Sequence, residues 1–354
     1  MKSSFRLSDD HQLSGRVAWR SPSNIALIKY WGKRPVQIPQ NASISLTLSE
    51  AHTSTSVGYM PRSNADSWIA FRFEGKEEPL FADRIQRFLT SVESYFGWLS
   101  QMAFDISSEN SFPHSSGIAS SASSMSALAM CLCEIDAQLR EVAFDEKQLQ
   151  KASYIARLGS GSASRSIYPK LASWGVHPTI DGSSDLFASP YDGVNPVFES
   201  IHDDVLIVSS DKKSVSSSAG HALMDTNPFA STRYQQASHN MTRLLEAMKS
   251  DDLTTWGEIV EDEAMTLHAL MMCSHPSYVL MKPSTLTVIE KIRGWRAETG
   301  LPLYFTLDAG PNVHILYPDE ITDEANDFIE NQLLSFAEGG LVIRDQVGLG
   351  PTRL

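Results

Sequence analysis

Four short segments of this chain carry the residue types that phosphate and carboxylate chemistry uses. The first, Asn24-Ile25-Ala26-Leu27-Ile28-Lys29-Tyr30-Trp31-Gly32-Lys33, sets two lysines four residues apart behind an apolar run. A lysine bracketed by Ile28, Tyr30 and Trp31 loses several kcal/mol of hydration on burial unless an anion compensates it, so Lys29 either pairs with a carboxylate or receives a ligand. The second, Pro113-His114-Ser115-Ser116-Gly117-Ile118-Ala119-Ser120-Ser121-Ala122-Ser123, places small hydroxyls and a glycine at an expected helix start. Free N–H groups and the helix dipole there suit a phosphate, and Ser120, Ser121 and Ser123 can donate to it or ligate magnesium. A serine-capped helix packed through small residues accounts for the same pattern.

The third segment, Gly159-Ser160-Gly161-Ser162-Ala163-Ser164-Arg165, repeats that logic and adds an arginine able to grip a phosphate or carboxylate with two N–H groups. Two such loops suggest two phosphorylated ligands. In the fourth, Tyr304-Phe305-Thr306-Leu307-Asp308-Ala309-Gly310-Pro311-Asn312, a strand runs into a tight turn and presents Asp308 at its end. A carboxylate so placed serves catalysis or simply caps its own turn.

Other chemistries lack their residues. There is no Gly-Lys-Ser/Thr phosphate loop, no His-Glu-x-x-His, no Gly-x-Ser-x-Gly and no dinucleotide glycine pattern after a strand. His268 and His275 fall by a methionine-rich helix, where packing is the expected role, and Glu261-Asp262-Glu263 and Asp319-Glu320 read as solvated faces. Cys131, Cys133 and Cys273 form no disulfide framework and no metal set, which fits a reducing cytoplasm.

Elements must hold these segments. Short strands and turns are expected to about Phe73, including the alternating stretch Ala42 to Leu48. Helices are expected at about Ala82 to Leu99, Ala119 to Ala137 and Glu146 to Leu158, with a strand near Met102 to Ser107. The Pro/Asp/Gly/Ser-rich tract His177 to Pro196 reads as a connection between an N-terminal domain, 1–195, and a C-terminal one, 196–354. Beyond it come a strand at Asp204 to Ser209, helices at about Ser231 to Lys249, Thr254 to Met272 and Ser284 to Glu298, strands Leu303 to Leu307 and Val313 to Tyr317, a helix Ile321 to Ala337 and a strand Gly340 to Asp345. The order is that of an α+β protein.

Composition narrows the partners. Among 354 residues, 29 Lys and Arg face 42 Asp and Glu, a formal charge of −13. Such a field repels nucleic acid, and any anionic ligand must be held by a local cluster of donors. No apolar run reaches the length of a membrane span, and Met1 to Gly15 has no signal-peptide core.

Taken in order, Asn24 to Lys33, Asn41-Ala-Ser-Ile-Ser45, Gly117 to Ser123, Gly159 to Arg165 and Asp308 to Asn312 resemble the GHMP kinase superfamily and, within it, the diphosphomevalonate decarboxylase family. The resemblance implies a ribosomal S5 domain 2-like N-terminal domain with a left-handed βαβ unit, a ferredoxin-like C-terminal domain and a cleft between them. It implies ATP and Mg2+ as cofactors and mevalonate 5-diphosphate as substrate, phosphorylated on its 3-hydroxyl and then decarboxylated to isopentenyl diphosphate. Carried over by position, Asp308, Arg165, Lys29 and Asn24 are the catalytic set. Asn110, Ser116, Gly117, Ala119, Ser120, Ser121 and Lys33 attend ATP, with Ser120 and Ser121 as metal ligands. Tyr30, Lys33, Ser160, Ser162, Arg165, Ser216 and Ser217 hold the substrate. A cytoplasmic homodimer is expected, with neither nucleic acid nor membrane as partner. After Arg165 the family's Gly-Gly pair is replaced by Tyr168-Pro169-Lys170-Leu171, so a kinase or decarboxylase acting on mevalonate or its monophosphate stays open, as does a non-catalytic homologue.

Overall fold

The computed structural model describes residues 14–62, 68–113, 120–211 and 215–354, together with Ser3 and Phe5. In chain order the elements are β1 (Gly15–Ile28), β2 (Lys33–Arg34), β3 (Ile38–Pro39), β4 (Ser43–Pro61), β5 (Ile69–Phe73), β6 (Lys76–Glu77), α1 (Pro79–Phe96), β7 (Met102–Asn110), α2 (Ser120–Leu139), α3 (Glu146–Gly159), β8 (Leu171–Trp174) and β9 (Ala188–Pro190). There follow β10 (His202–Leu206), α4 (Ser217–Leu223), α5 (Ala230–Ser250), α6 (Leu253–Met272), α7 (Pro283–Thr299), β11 (Tyr304–Thr306), β12 (Val313–Tyr317), α8 (Thr322–Phe328), β13 (Val342–Ile343) and β14 (Thr352–Arg353).

A first sheet runs β14-β1-β4-β7-β5-β6, and β8 and β9 extend from the start of β4. β4 therefore has two partners on one side: Ser43 to Leu46 pair with β8, and Thr53 to Pro61 pair with β7. Its second half alternates buried and half-buried residues, as a strand with one face on the core should, whereas its first six residues are all buried. The β1 register slips between Pro22 and Asn24, where proline has no N–H to give the ladder. α1 carries the chain from β5 to its parallel neighbour β7, and α2 lays an almost wholly buried face of small residues across the sheet. Small side chains let helix and sheet approach closely.

The second sheet, β11-β12-β10-β13, is antiparallel. Numbered by their own order in the chain, its strands lie 2-3-1-4, with α4 to α7 between the first and second and α8 between the third and fourth. An apolar cluster containing Ile25, Leu27, Ile44 and Leu46 of the first sheet continues into Val205, Leu244 and Trp256 of the second half. That shared layer fixes the end of β1 against α5 and α6.

Several expectations need correcting. The N-terminal part is built on two long strands, β1 of 14 residues and β4 of 19, and not on short ones. The tract His177 to Pro196 includes β9, which pairs with β8 and so belongs to the first sheet. The expected helix Ile321 to Ala337 keeps regular α-geometry only in α8, after which Ile329–Leu333 forms a π-turn and Leu334–Phe336 a 3-10 turn. Glu261 and Glu263 are buried, not solvated.

Candidate active site

β1 ends at Ile28, and the next residue, Lys29, is 2 % exposed. Its Nζ donates to the carbonyl of Ala26 at 2.7 Å and lies 3.8 Å from Oδ1 of Asp308. Asp308 follows β11, and its carbonyl accepts the N–H of Gly310 at 2.7 Å, the tight turn expected from Gly310-Pro311. Burial pushes the Lys29 amine down to about 8, against the pull of the Asp308, Glu263 and Asp203 carboxylates and with a smaller push from Arg165. Close to neutral pH this lysine keeps its charge by a narrow margin.

Arg165 stands in a 3-10 turn, Gly161–Ile167, and is buried. Its guanidinium donates to Ser45 Oγ at 3.0 Å, to Ser43 Oγ at 2.5 Å and to Asn24 Oδ1 at 3.3 Å. Asn24 is itself aimed, because its Nδ2 donates to the carbonyl of Ser162 at 3.1 Å and to Ser166 Oγ at 2.8 Å, which turns Oδ1 to the arginine. These three acceptors are all neutral. Burial lowers Arg165 to about 10, while Asp308 and Tyr30 raise it. Glu263 is already paired with Arg233 and Asp203 is bonded to His314, so the two buried cations Lys29 and Arg165 share Asp308, and such an arrangement in a chain of net charge −13 calls for an anionic ligand.

Beside them, Lys33 Nζ donates to Gln37 Oε1 at 3.0 Å, and the Tyr30 hydroxyl reaches the same oxygen at 3.5 Å. Burial lowers Lys33 and raises Tyr30. The Tyr30 ring packs on Trp174 and on His221 of α4. His221 Nδ1 accepts the N–H of Gly32 at 3.0 Å, so a neutral ring carries its proton on Nε2, and burial drives the imidazole down to about 3. Gly32 has φ +93°, and a Cβ there would strike the Tyr234 hydroxyl. Ser216, five residues before His221, is exposed and caps α4 by accepting the N–H of Ala219. Ser217 opens α4, and its side chain lies outside the described structure.

On the other side, Ser120 and Ser121 begin α2. With Asn110, Thr55, Phe71 and Phe81 they line a cavity of about 100 Å³ between α1, α2 and the first sheet. Ser121 Oγ lies 3.2 Å from Ser160 Oγ, so the start of α2 meets the segment Gly159 to Arg165. Residues 114–119, which include Ser116, Gly117 and Ala119, lie outside the described residues. Among the described residues no three His, Cys, Asp or Glu side chains gather as a metal set. The hydroxyls of Ser120 and Ser121 nonetheless fit Mg2+, which takes few protein oxygens and fills its shell with water and substrate phosphates.

Three sets of residues around the site were given no role by the sequence analysis. Ser43 and Ser45 face Arg165 because alternate residues of a strand share a face, a signal present in Ser43-Ile44-Ser45. Glu263, Arg233 and Asn240 form a buried polar knot beneath Lys29. Arg233 among the buried positions of α5 was the available clue. Gln37, at φ +56° in the β2–β3 turn, has no sequence signature. The departure after Arg165 turns outward: Lys170, at φ +53°, forms an ion pair with Glu199 at 2.6 Å.

The sheet orders, and the likeness to solved structures given below, define a two-domain GHMP kinase fold with a ferredoxin-like second half. Residues 21–185 match the family described as the diphosphomevalonate decarboxylase-like N-terminal domain, and residues 204–343 match the mevalonate 5-diphosphate decarboxylase C-terminal domain. The chain belongs to the diphosphomevalonate decarboxylase family. It is 30% identical over 321 residues to diphosphomevalonate decarboxylase of Candida albicans, covering 86% of this chain and 84% of that one. The crystal structure of mevalonate diphosphate decarboxylase from Staphylococcus aureus superposes with a TM-score of 0.83 at 27% identity, over 97% of this chain and 99% of that one. A structure of MDDEF in complex with MVAPP, AMPPCP and magnesium superposes with a TM-score of 0.81 at 28% identity, over 96% and 99%.

Proposed function

We propose that this enzyme catalyses the ATP-dependent decarboxylation of mevalonate 5-diphosphate to isopentenyl diphosphate. The observation that carries the reading is the buried Lys29 beside Asp308, next to an Arg165 whose bonds go only to neutral oxygens. As the tertiary 3-hydroxyl oxygen attacks the γ-phosphorus of ATP, Asp308 takes its proton and the bond to ADP breaks. The C–O bond to the new phosphate then breaks together with the bond to the carboxylate carbon. That bonding pair forms the alkene, and phosphate and carbon dioxide leave.

Phosphoryl transfer is mainly positioning and charge stabilisation. Lys29 balances Asp308 and the charge that develops next to it. Arg165, aimed by Asn24, takes the substrate's anionic groups, with Tyr30, Lys33, Ser160, Ser162, Ser216 and Ser217 around the diphosphate. Ser120 and Ser121, with Asn110, Ser116, Gly117, Ala119 and Lys33, serve the nucleotide. Bound Mg2+, held by Ser120 and Ser121, supplies neutralisation of the phosphate oxygens. The cavity at the head of α2 and the Ser121–Ser160 contact support nucleotide and substrate meeting there.

The same reading divides the chain into an N-terminal unit, 1–195, and a C-terminal unit, 196–354, and places a homodimer in the cytoplasm. It is supported there by three unpaired cysteines and by the absence, among the described residues, of a helix long and apolar enough to cross a membrane. The net charge of −13 supports the absence of a nucleic-acid partner. Sedimentation velocity checks the homodimer.

Phosphorus NMR of reactions supplied separately with mevalonate 5-diphosphate and 5-phosphate tests the substrate. Isopentenyl diphosphate from the first and nothing from the second is expected. Turnover of the monophosphate alone contradicts the proposal.

A further inference from the structure

Helix α6 reaches both members of the Lys29–Asp308 pair through their backbones. Glu263 Oε2 accepts the Lys29 N–H at 2.9 Å, and His268 Nε2 lies 3.1 Å from the Asp308 carbonyl. A carbonyl only accepts, so His268 carries its proton on Nε2. The two α6 residues are five apart, about 7.5 Å along a helix axis.

Glu263 is fully buried, and its oxygens are saturated. Arg233 donates to them at 2.7 and 2.5 Å, Asn240 at 2.8 Å, and the Lys29 amide completes the set. Arg233 also donates to the Lys29 carbonyl at 3.3 Å, where Asn41 Nδ2 donates at 3.1 Å. The peptide groups on either side of Lys29 are therefore held, one by a carboxylate and the other by a guanidinium. A buried ion pair alone says little about stability, since apolar residues of equal volume often do as well. This one differs because both of its members also bond to the backbone of a buried lysine.

We propose that Glu263 and His268 of α6, with Arg233 of α5 clamped to Glu263, are positioning residues that set the distance between Lys29 and Asp308. At 3.8 Å the amine is close enough to balance the carboxylate but too far for a direct hydrogen bond, which needs about 2.8 Å. Asp308 thereby keeps its accepting capacity for the substrate hydroxyl. The inference rests on the reading of Lys29 and Asp308 as the reacting pair. The charged groups acting on Lys29 are Asp308, Glu263 on α6, Asp203 on β10 and Arg165.

The test uses the full-length enzyme with His268→Phe, His268→Gln, Glu263→Gln, the exposed α6 control Asp262→Asn, and Asp308→Asn, following kcat, both KM values, the pH profile of kcat and thermal unfolding. His268→Phe fills the volume without a donor and is expected to lower kcat about tenfold with both KM values within about twofold, since sub-ångström misplacement is costly at a reacting pair. His268→Gln, which restores an N–H, is expected to recover most of that loss. Glu263→Gln removes a carboxylate that favours the ammonium, so its alkaline limb is expected at lower pH, while Asp262→Asn changes nothing. A folded His268→Phe enzyme with wild-type kcat, or an equal loss in His268→Gln, overturns the proposal. So does an unmoved alkaline limb in a folded Glu263→Gln enzyme, and if that variant fails to fold the His268 pair decides. An active Asp308→Asn enzyme refutes the underlying reading instead, whereas an inactive one beside a fully active His268→Phe refutes this inference alone.

Discussion

Lys29 Nζ lies 3.8 Å from Asp308 Oδ1, with the lysine side chain 2 % exposed and the aspartate 27 %. The cation is sealed and the carboxylate faces the open side, so a substrate meets Asp308 first. The order suits a carboxylate that takes a proton and a lysine that balances charge behind it.

Activity and stability should respond to pH in opposite directions at this lysine. Burial pushes its amine down to about 8 in the folded protein, against an ordinary value of 10.5. Between those values the unfolded chain binds more protons, so the lysine's burden on stability is full below about pH 8 and is lifted as pH rises to about 10.5. Turnover that needs the ammonium falls earlier, through about pH 8, because it follows the titration of the folded protein alone. Unfolding of wild type and Lys29→Met, followed from pH 7.5 to 10.5, is expected to show a rise in wild type relative to the variant while kcat of wild type declines.

Arg165→Lys keeps a charge but loses the planar fork that engages Ser43, Ser45 and Asn24. A loss of about 10² to 10³ in kcat/KM for the diphosphate substrate is expected, the scale of removing one stabilising donor. Asn24→Ala is expected to cost less, and the double variant less than the product of the two, because both act on one guanidinium. Steady-state kinetics of the four proteins decide this.

The cavity at the head of α2 offers a separable effect. Ser124 lines it and is absent from the Lys29–Arg165 group, so Ser124→Phe should fill it. KM for ATP is expected to rise about tenfold, the equivalent of about 1.4 kcal/mol, with KM for the diphosphate substrate unchanged. Calorimetric titration with a non-hydrolysable nucleotide gives the same comparison without turnover.

Glu263→Ala strips Arg233 of its carboxylate inside the protein. Breaking a buried pair from one side costs about 3 to 5 kcal/mol, so a large fall in unfolding midpoint is expected. Replacing both residues, as in Arg233→Met with Glu263→Leu, should restore much of the stability without restoring kcat, which denaturant unfolding and kinetics check together.

The sequence disclosed what is local. Asn24, Lys29 and Lys33 share one segment, and Gly159 to Arg165 another, so their donors fall together wherever the segment goes. Asp308 was readable because a strand followed by Gly310-Pro311 must turn. Long-range partners left no such trace. Glu261 and Glu263 sat in an acidic run that looked solvated, yet residues two apart on a helix point to different sides, and each found its own arginines: Arg293 and Arg296 for one, Arg233 for the other. β1 and β4 looked short because residues buried on both faces lose their alternation, and because Pro22 interrupts the pattern without ending the strand.

The most direct measurement is the stoichiometry of ADP and carbon dioxide released from mevalonate 5-diphosphate labelled in its carboxylate, with ATP and magnesium, in wild type and Asp308→Asn. Equal release of the two, lost together in the variant, is the predicted result. ADP without carbon dioxide, or an Asp308→Asn enzyme as active as wild type, would contradict the account.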